Sequence, residues 1–250
     1  MNALYNHLSK KDLIDLFEIV DSCIKCKNEN EFLKIIYKLK QLILFEAVTA
    51  TYMDGELVPK ESVYQLSFDF PGEFLDRYHK KKYIKIDVPM NAYFNTSEIQ
   101  IYSDAIKKYN NNILNAVELD SKEYGFYDGW IYGVDNIYKS YSFVFCVICS
   151  SIEKNERTKH IIKYLTNFLA VSYKNVLKKK EKQKYHLTKR EIEVINWLKE
   201  GKTYWEISQI LNITESGVRF HVENLKKKFE VVSLTQAVAV AMSKGIISLG

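Results

Sequence analysis

The sequence predicts an α+β protein with two domains: an N-terminal α/β/α sandwich around a roughly five-stranded antiparallel sheet, and a C-terminal all-α domain of four helices. Of its 250 residues, 47% are apolar, which is enough for two modest cores. Helical and strand-like apolar patterns fill the first part, whereas four short helices with strong capping signals follow residue 187. The run KKKEKQK over residues 178–184 lies between them. We therefore predict domains at residues 1–175 and 187–250, joined by a linker at residues 176–186.

The N-terminal domain is predicted from the spacing of its apolar residues. A helical period predicts helices over residues 10–26, 29–43, 71–82, 104–124 and 154–181. Runs of β-branched and aromatic residues predict strands over residues 45–53, 62–68, 130–134 and 140–151. Asp54-Gly55 and Asp135-Asn136 are hairpin signals between successive strands, and Pro71 suits the first turn of a helix. Helices flanking these antiparallel strands predict the α/β/α sandwich.

Capping signals define the four helices of the C-terminal domain. Three pairs have the capping-box spacing, in which each side chain accepts a backbone N–H: Thr188/Glu191, Thr203/Glu206 and Ser233/Gln236. Gly201 and Asn212 follow the first and second helices, where a left-handed residue can end a helix. Thr214 can cap a third helix, predicted over Glu215–Phe229. Two helices joined by a tight turn, the second of them basic, are typical of a DNA-reading helix–turn–helix.

Charge and position on the third helix indicate which side chains contact DNA. Residues 174–250 hold 15 Lys and Arg against 8 Asp and Glu, and such a basic domain favours a polyanion as partner. Arg219 is the best candidate for a bidentate contact with guanine, while Lys226 and Lys227 are placed for phosphates. The predicted DNA-binding residues are Lys202, Thr203, Thr214, Ser216, Arg219, Phe220, His221, Glu223, Lys226 and Lys227. The alternative is a small helical bundle whose exposed face has no function.

Three further features of this part of the chain are its two tryptophans and the lysines of the linker. Trp197 is expected in the core, whereas Trp205 either packs against its own domain or lies against the DNA backbone. The lysines of the linker are typical of a solvated helix end, and they could also contact phosphates.

The C-terminal segment closely resembles the LuxR-type helix–turn–helix over about 60 residues. The matching residues are Glu191, Ile195, Gly201, Lys202, Thr203, Glu206, Ile207, Val218, His221, Asn224 and Lys228. Gly217 departs from the family, which usually has Thr there, and glycine weakens a helix interior by up to about 1 kcal/mol relative to alanine. The resemblance implies double-stranded DNA as a partner and a homodimer formed through the last helix, residues 234–242.

Residues 70–89 resemble the autoinducer-binding domain of quorum-sensing LuxR-type regulators. Tyr78, Tyr83 and Asp87 fall at the family's spacing, and Phe70 and Phe74 stand at its Tyr and Trp positions. IYSD at residues 101–104 and EYGFYDG at residues 123–129 match two further segments. The resemblance implies a ligand site formed by Phe70, Phe74, Tyr78, Asp87, Tyr102, Gly129 and Cys146, although Cys146 can also be explained as a core residue. It also implies an acyl-homoserine lactone or a related small molecule as the signal.

The departures from the family affect the expected ligand. In the family, the tryptophan at the position of Phe74 donates its indole N–H to the lactone carbonyl, and phenylalanine has no donor. Asp87 can still accept from the ligand amide, Tyr78 can still donate to the acyl carbonyl, and Val88 replaces a proline. We therefore expect a different signal molecule or a weaker response to lactones. Two alternatives remain open, an ordinary aromatic core and a ligand-independent regulator whose N-terminal domain only dimerises or binds a partner protein.

Other chemistry has little support in the sequence. Cys23/Cys26 and Cys146/Cys149 have CxxC spacing, but one pair falls on a predicted helix and the other on a strand, which does not suit a zinc knuckle. Nucleophile elbows and phosphate-binding glycine loops are absent from the sequence, so we expect neither an enzyme nor a cofactor. Without a secretory or membrane-spanning signal, the expected location is the cytoplasm. RNA polymerase is a further expected partner.

Overall fold

A computed structural model describes residues 7–54, 63–109, 116–135, 141–151 and 153–247 of the chain. It divides into two compact units, Met1–Lys174 and Asn175–Gly250. The second residues of both predicted hairpin pairs, Gly55 and Asn136, lie outside the described residues.

The first unit is built on a five-stranded antiparallel sheet, which confirms the predicted fold class. Its strands are β1 (Ala47–Asp54), β2 (Val63–Phe68), β3 (Gln100–Ile101), β4 (Asp128–Asp135) and β5 (Tyr141–Cys149), in the order β2-β1-β5-β4-β3. Its helices are α1 (Lys10–Lys25), α2 (Glu29–Leu42), α3 (Gly72–Lys80), α4 (Val88–Thr96), α5 (Tyr102–Tyr109), α6 (Ala116–Glu123) and α7 (Glu156–Lys184), of which the residues from Asn175 onward belong to the second unit. A single 3-10 turn, Tyr83–Lys85, lies between α3 and α4.

The two faces of the sheet are covered by different sets of helices. Phe143 of β5 contacts the ring of Tyr173 on α7, which in turn contacts Phe32 of α2. Because side chains alternate along a strand, Val144 and Cys146 point to the other face. There they pack with side chains of β1, β4 and α4. The helices that follow β2 therefore cover a face of the sheet that is separate from the main helical layer.

Three local differences from the prediction have physical explanations. The helix predicted over residues 104–124 is seen as α5 and α6, and residues 110–115 are outside the described part. Helix α4 was not predicted because apolar side chains, among them the buried Pro89, Met90, Ala92 and Tyr93, occupy most of its circumference and leave no distinct polar face. Helix α7 continues to Lys184, so most of the predicted linker is helical, in keeping with the good helix propensity of lysine.

The second unit contains the four predicted helices, α8 (Lys189–Lys199), α9 (Tyr204–Leu211), α10 (Glu215–Phe229) and α11 (Leu234–Ser243). All three predicted capping boxes form, with Thr188, Thr203 and Ser233 as the N-caps. Gly201 and Asn212 have φ values of 76° and 52°, as expected of left-handed residues that follow a helix. Local capping chemistry therefore determines where these helices begin and end.

Two details of the second unit change the expectations from sequence. Gly217 lies in the first turn of α10, not its interior, and donates its N–H to the Thr214 hydroxyl at 3.0 Å. The expected weakening of the recognition helix is therefore smaller than for an interior glycine. Glu191 is 2% exposed and holds Lys228, whose Nζ lies 2.7 and 2.8 Å from its carboxylate oxygens. This partly buried ion pair connects α8 to α10.

Candidate ligand pocket and DNA-binding surface

A cavity of about 410 Å³ lies in the first unit, between the sheet and the shorter helices that follow β2. Its volume is in the range of small-molecule sites. All seven predicted ligand-site residues line it: Phe70, Phe74, Tyr78, Asp87, Tyr102, Gly129 and Cys146. A Cβ at Gly129 would collide with the carbonyl oxygen of Val147, so this position needs glycine for strand packing as well.

Asp87 and Tyr78 form the polar centre of the cavity. Asp87 caps α4, because its Oδ1 accepts the Met90 N–H at 3.0 Å. Its Oδ2 accepts the Tyr78 hydroxyl at 2.7 Å. Burial raises the pKa of Asp87, although these two hydrogen bonds act in the opposite direction. Burial and the neighbouring carboxylate also raise the pKa of Tyr78, which therefore remains a protonated donor.

Aromatic rings surround Phe74 at one side of the cavity. Its ring centroid lies 5.7 Å from that of Phe70, 5.5 Å from Tyr124 and 6.1 Å from Phe126. Phe74 is only 5% exposed. Tyr124 and Phe126 were missed, although both lie in the EYGFYDG segment, where only Gly129 was considered. The ring cluster offers a ligand apolar contact at Phe74 without a hydrogen-bond donor from that residue.

The sheet contributes lining side chains, two of them polar, that the sequence reasoning missed. Thr49, Thr51 and Met53 are alternate residues of β1, and all three line the cavity. The period-two spacing of the strand could have identified them as one face. Thr49 hydrogen-bonds Cys146, and burial raises the pKa of that thiol to about 12. Cys146 therefore faces the cavity as a neutral thiol.

Helix α6 and the cavity rim add other polar groups. Ser121 of α6 lines the cavity and hydrogen-bonds Tyr102. His79 Nε2 lies 2.7 Å from Gln65 Oε1 at the rim, where Lys82 and Lys85 are exposed. By contrast, Tyr83, which also falls at the family's spacing, is not a lining residue. Its hydroxyl instead donates to Asp120 at 2.6 Å.

The second unit presents a continuous exposed face along α10. None of the ten predicted DNA-binding residues is buried: Thr203, Thr214, Ser216, Arg219, Phe220, Glu223 and Lys227 are exposed, and Lys202, His221 and Lys226 are half-buried. The Arg219 guanidinium carbon lies 5.2 Å from the ring centroid of Tyr204 on α9, a contact that sequence reasoning missed. Trp205 is 60% exposed, whereas Trp197 packs partly against the core as predicted.

Several of these polar side chains already have intramolecular partners. The hydroxyls of Thr203 and Thr214 act as helix caps. Lys226 pairs with Glu223 at 2.6 Å, and Lys202 pairs with Glu206 at 3.0 Å. Hydrogen bonds lower the pKa of Glu206 to about 2. The largest effect comes from the Thr203 backbone N–H, and smaller effects come from Lys202 and the Thr203 hydroxyl. Arg219 and Lys227 have no ion pair among the described residues, so their charges are available to an anionic partner.

The predicted dimer helix is only partly available at the surface. Ala237 and Ala241 of α11 are fully buried in the core of their own unit. Leu234 and Val238 pack partly against the same core. The exposed surface of α11 is therefore smaller than its apolar composition indicates.

The cysteine pairs have the chemistry of core residues. All four thiols are free and buried. Burial is the leading cause that raises the pKa of Cys23 to about 11 and that of Cys149 to about 12. The described residues contain no cluster of three His, Cys, Asp or Glu able to hold a metal ion. The helices in the described part of the chain are too short or too polar to cross a membrane.

Comparisons with known proteins match the N-terminal and the C-terminal part of the chain to two family models. Residues 28–172 match the model of the autoinducer binding domain, and residues 185–241 match that of bacterial regulatory proteins of the luxR family. The chain is 28% identical to the transcriptional activator protein VanR of Vibrio anguillarum over 72% of this chain and 76% of VanR. It is 22% identical to the transcriptional activator protein LuxR of Aliivibrio fischeri over 93% and 94% of the two chains.

A solved structure shows the same fold. SdiA of Escherichia coli, in complex with octanoyl-rac-glycerol, superposes with a TM-score of 0.60 at 18% identity, over 97% of this chain and 99% of that chain. The autoinducer-binding model alone covers more than half of the sequence. The chain therefore belongs to the LuxR family of quorum-sensing, DNA-binding regulators, with an autoinducer binding domain followed by a luxR-type helix–turn–helix.

Proposed function

We propose that this chain is a transcription regulator whose N-terminal domain binds an acyl-homoserine lactone or a related amphiphilic signal. The cavity of about 410 Å³ with Asp87 and Tyr78 at its centre is the observation that carries this proposal. The Asp87 carboxylate is placed to accept an amide N–H of the ligand. Phe70, Phe74 and Tyr102 supply apolar contact, and the sheet residues Gly129 and Cys146 complete the predicted wall.

The DNA-binding part of the proposal rests on the exposed face of α10. Arg219 reads a guanine, with Ser216, Phe220, His221 and Glu223 near neighbouring bases. Lys226 and Lys227 contact phosphates, and Lys202, Thr203 and Thr214 meet the backbone at the helix N-termini. A homodimer would read two half-sites about 10 base pairs apart. Ligand binding sets the geometry of that dimer, and RNA polymerase is the partner at the promoter.

A ligand-independent regulator is the second candidate, and two observations favour it. Phe74 cannot donate a hydrogen bond, and the Tyr78 hydroxyl is already satisfied by Asp87. A closed pocket filled by side chains would be expected for such a protein, whereas the chain has an open cavity of ligand size. The cavity favours the first candidate.

Thermal unfolding tests the ligand-binding proposal. We would measure the full chain alone, with acyl-homoserine lactones of varied chain length, with octanoyl glycerol, and with an organic extract of the host culture. A ligand at 100 times its dissociation constant adds about 2.7 kcal/mol of stability. A rise with one lactone supports a lactone receptor, and a rise with the extract alone supports another signal. A folded dimer that none of these stabilises would contradict the proposal in favour of the ligand-independent regulator.

Operator binding tests the DNA-binding proposal separately. Arg219→Ala is expected to weaken binding to the selected operator by about 1–3 kcal/mol and to relax the preference at one base position. If Arg219→Ala binds operator DNA as well as the wild type does, the assignment of α10 as the reading helix is wrong.

A further inference from the structure

Among the ion pairs, hydrogen bonds and ring contacts of the described residues, Arg219 takes part in one, and its partner is an aromatic ring. Its guanidinium carbon lies 5.2 Å from the ring centroid of Tyr204, within the distance of a cation–π interaction. Tyr204 is the first residue of α9 and Arg219 lies in the second turn of α10. The contact therefore joins the two helices of the helix–turn–helix at the end of α10 that faces the DNA in this class of motif.

Arg219 and Tyr204 differ in how far their side chains are exposed and packed. Arg219 is exposed, while Tyr204 is half-buried and packs against the apolar core of the unit. The acidic residue one turn after Arg219, Glu223, is paired with Lys226 at 2.6 Å. Because none of the ion pairs among the described residues involves Arg219, the ring of Tyr204 is the feature that restrains its guanidinium.

This restraint leaves the hydrogen-bonding capacity of Arg219 intact. A cation–π contact uses the face of the ring and consumes none of the five N–H donors of the guanidinium. Bidentate recognition of guanine needs two of those donors in a fixed plane. An arginine that is held before it meets DNA loses less side-chain freedom on binding.

We propose that Tyr204 is a positioning residue for DNA recognition: its ring holds Arg219 in the orientation that reads the operator. This inference rests on the proposed DNA-reading role of α10. It requires the aromatic ring of Tyr204 and not its hydroxyl. Tyr204→Phe should therefore behave as the wild type, and Tyr204→Leu should not.

The test uses the full chain and a double-stranded DNA that the wild type selects from a random pool, with and without the lactone panel. Binding of Tyr204→Leu to the selected DNA is expected to weaken by about two- to five-fold, the range of an exposed cation–π contact. Its binding to unselected DNA stays unchanged. In an Arg219→Ala background the same change has no further effect, because the group that Tyr204 positions is gone.

Tyr185→Leu is the matched control. Tyr185 also packs against the core of this unit, with its ring 4.9 Å from that of Phe229, and among the described residues the ring that contacts Arg219 is that of Tyr204 instead. Equal binding losses in Tyr185→Leu and Tyr204→Leu, or an equal loss from Tyr204→Leu with and without Arg219, would show a purely structural role and overturn the inference. So would Tyr204→Leu binding as the wild type does while Arg219→Ala is impaired. If the wild type selects no sequence, or Arg219→Ala has no effect, the proposed function itself fails.

Discussion

Replacing Asp87 with Asn should separate ligand binding from folding. Asp87 is 6% exposed, and its two oxygens have different roles. Oδ1 caps α4 through the Met90 N–H, a role that the amide oxygen of Asn can keep. Oδ2 accepts the Tyr78 hydroxyl and is the acceptor proposed for the ligand amide. In Asp87→Asn that acceptor is replaced by an NH₂ group, which presents hydrogens to the ligand N–H.

The expected loss follows from the strength of a charged hydrogen bond. Such bonds contribute about 1.5–3 kcal/mol, so the dissociation constant should rise by about 13- to 160-fold. A ligand at 100 times its wild-type dissociation constant adds about 2.7 kcal/mol to the wild type. The same concentration should add only about 0.3–1.3 kcal/mol to Asp87→Asn. The unliganded variant should stay folded, because the lost carboxylate also removes the cost of burying a charge.

The assay is thermal or urea unfolding with and without the ligand that stabilises the wild type. Asp120→Asn is the matched control, because Asp120 is also a buried aspartate that accepts a tyrosine hydroxyl, from Tyr83 at 2.6 Å. It is not a lining residue of the cavity, so Asp120→Asn should lose stability but keep its ligand response. If Asp87→Asn is stabilised by ligand as strongly as the wild type, Asp87 is not the ligand acceptor and the reasoning is wrong.

Three further predictions concern the pocket, the second unit and acid stability. Phe74→Trp restores an indole N–H at the cavity wall and should increase lactone-induced stabilisation by about 1 kcal/mol in the same unfolding assay; no gain would place the ligand carbonyl elsewhere. Glu191→Gln leaves Lys228 without its carboxylate and should cost about 1–3 kcal/mol of unfolding free energy in urea, less than a fully buried pair because Lys228 remains 27% exposed; wild-type stability would show that the pair contributes nothing. The hydrogen bond from Arg157 lowers the pKa of Asp12 from 3.8 to about 2, so the stability it provides is present above pH 4 and lost as the pH falls to about 2. Asp12→Asn should therefore lose less stability than the wild type between pH 5 and pH 2.5, and parallel losses would contradict this.

The second unit was the more predictable of the two because its signals are local. Thr188, Thr203 and Ser233 each act within three residues of their own position, so the sequence determines the helix starts directly. Asn212 ends α9 by its own left-handed conformation. By contrast, the contact between Tyr204 and Arg219 joins two helices across a turn. Spacing along either helix does not reveal it, because it depends on how the helices pack.

In the first unit, the positions of several cavity residues depend on packing and not on local signals in the sequence. The resemblance placed Phe74, Tyr78 and Asp87 at the cavity because the family's spacing preserves their position along α3 and the following turn. It said nothing of Thr49 and Thr51, which reach the cavity only through the register of β1 in the sheet. Strand alternation alone does not say which of the two faces of a buried strand meets a cavity.

The hydrogen bond between Tyr78 and Asp87 also determines which polar groups of a ligand the pocket can bind. The Asp87 carboxylate has lone pairs for more than the two hydrogen bonds that it accepts, so a ligand N–H can bind there without displacing Tyr78. A ligand carbonyl that recruits the Tyr78 hydroxyl must instead break a 2.7 Å hydrogen bond to a buried carboxylate. Phe74 offers no donor to a second ligand carbonyl at the position of the family's tryptophan, and a buried carbonyl left unpaired there costs about 1–3 kcal/mol. The pocket therefore favours binding of a ligand that has an N–H donor next to an apolar group. It binds a ligand less tightly when a carbonyl of that ligand lies beside Phe74, where the tryptophan of the family would have donated a hydrogen bond.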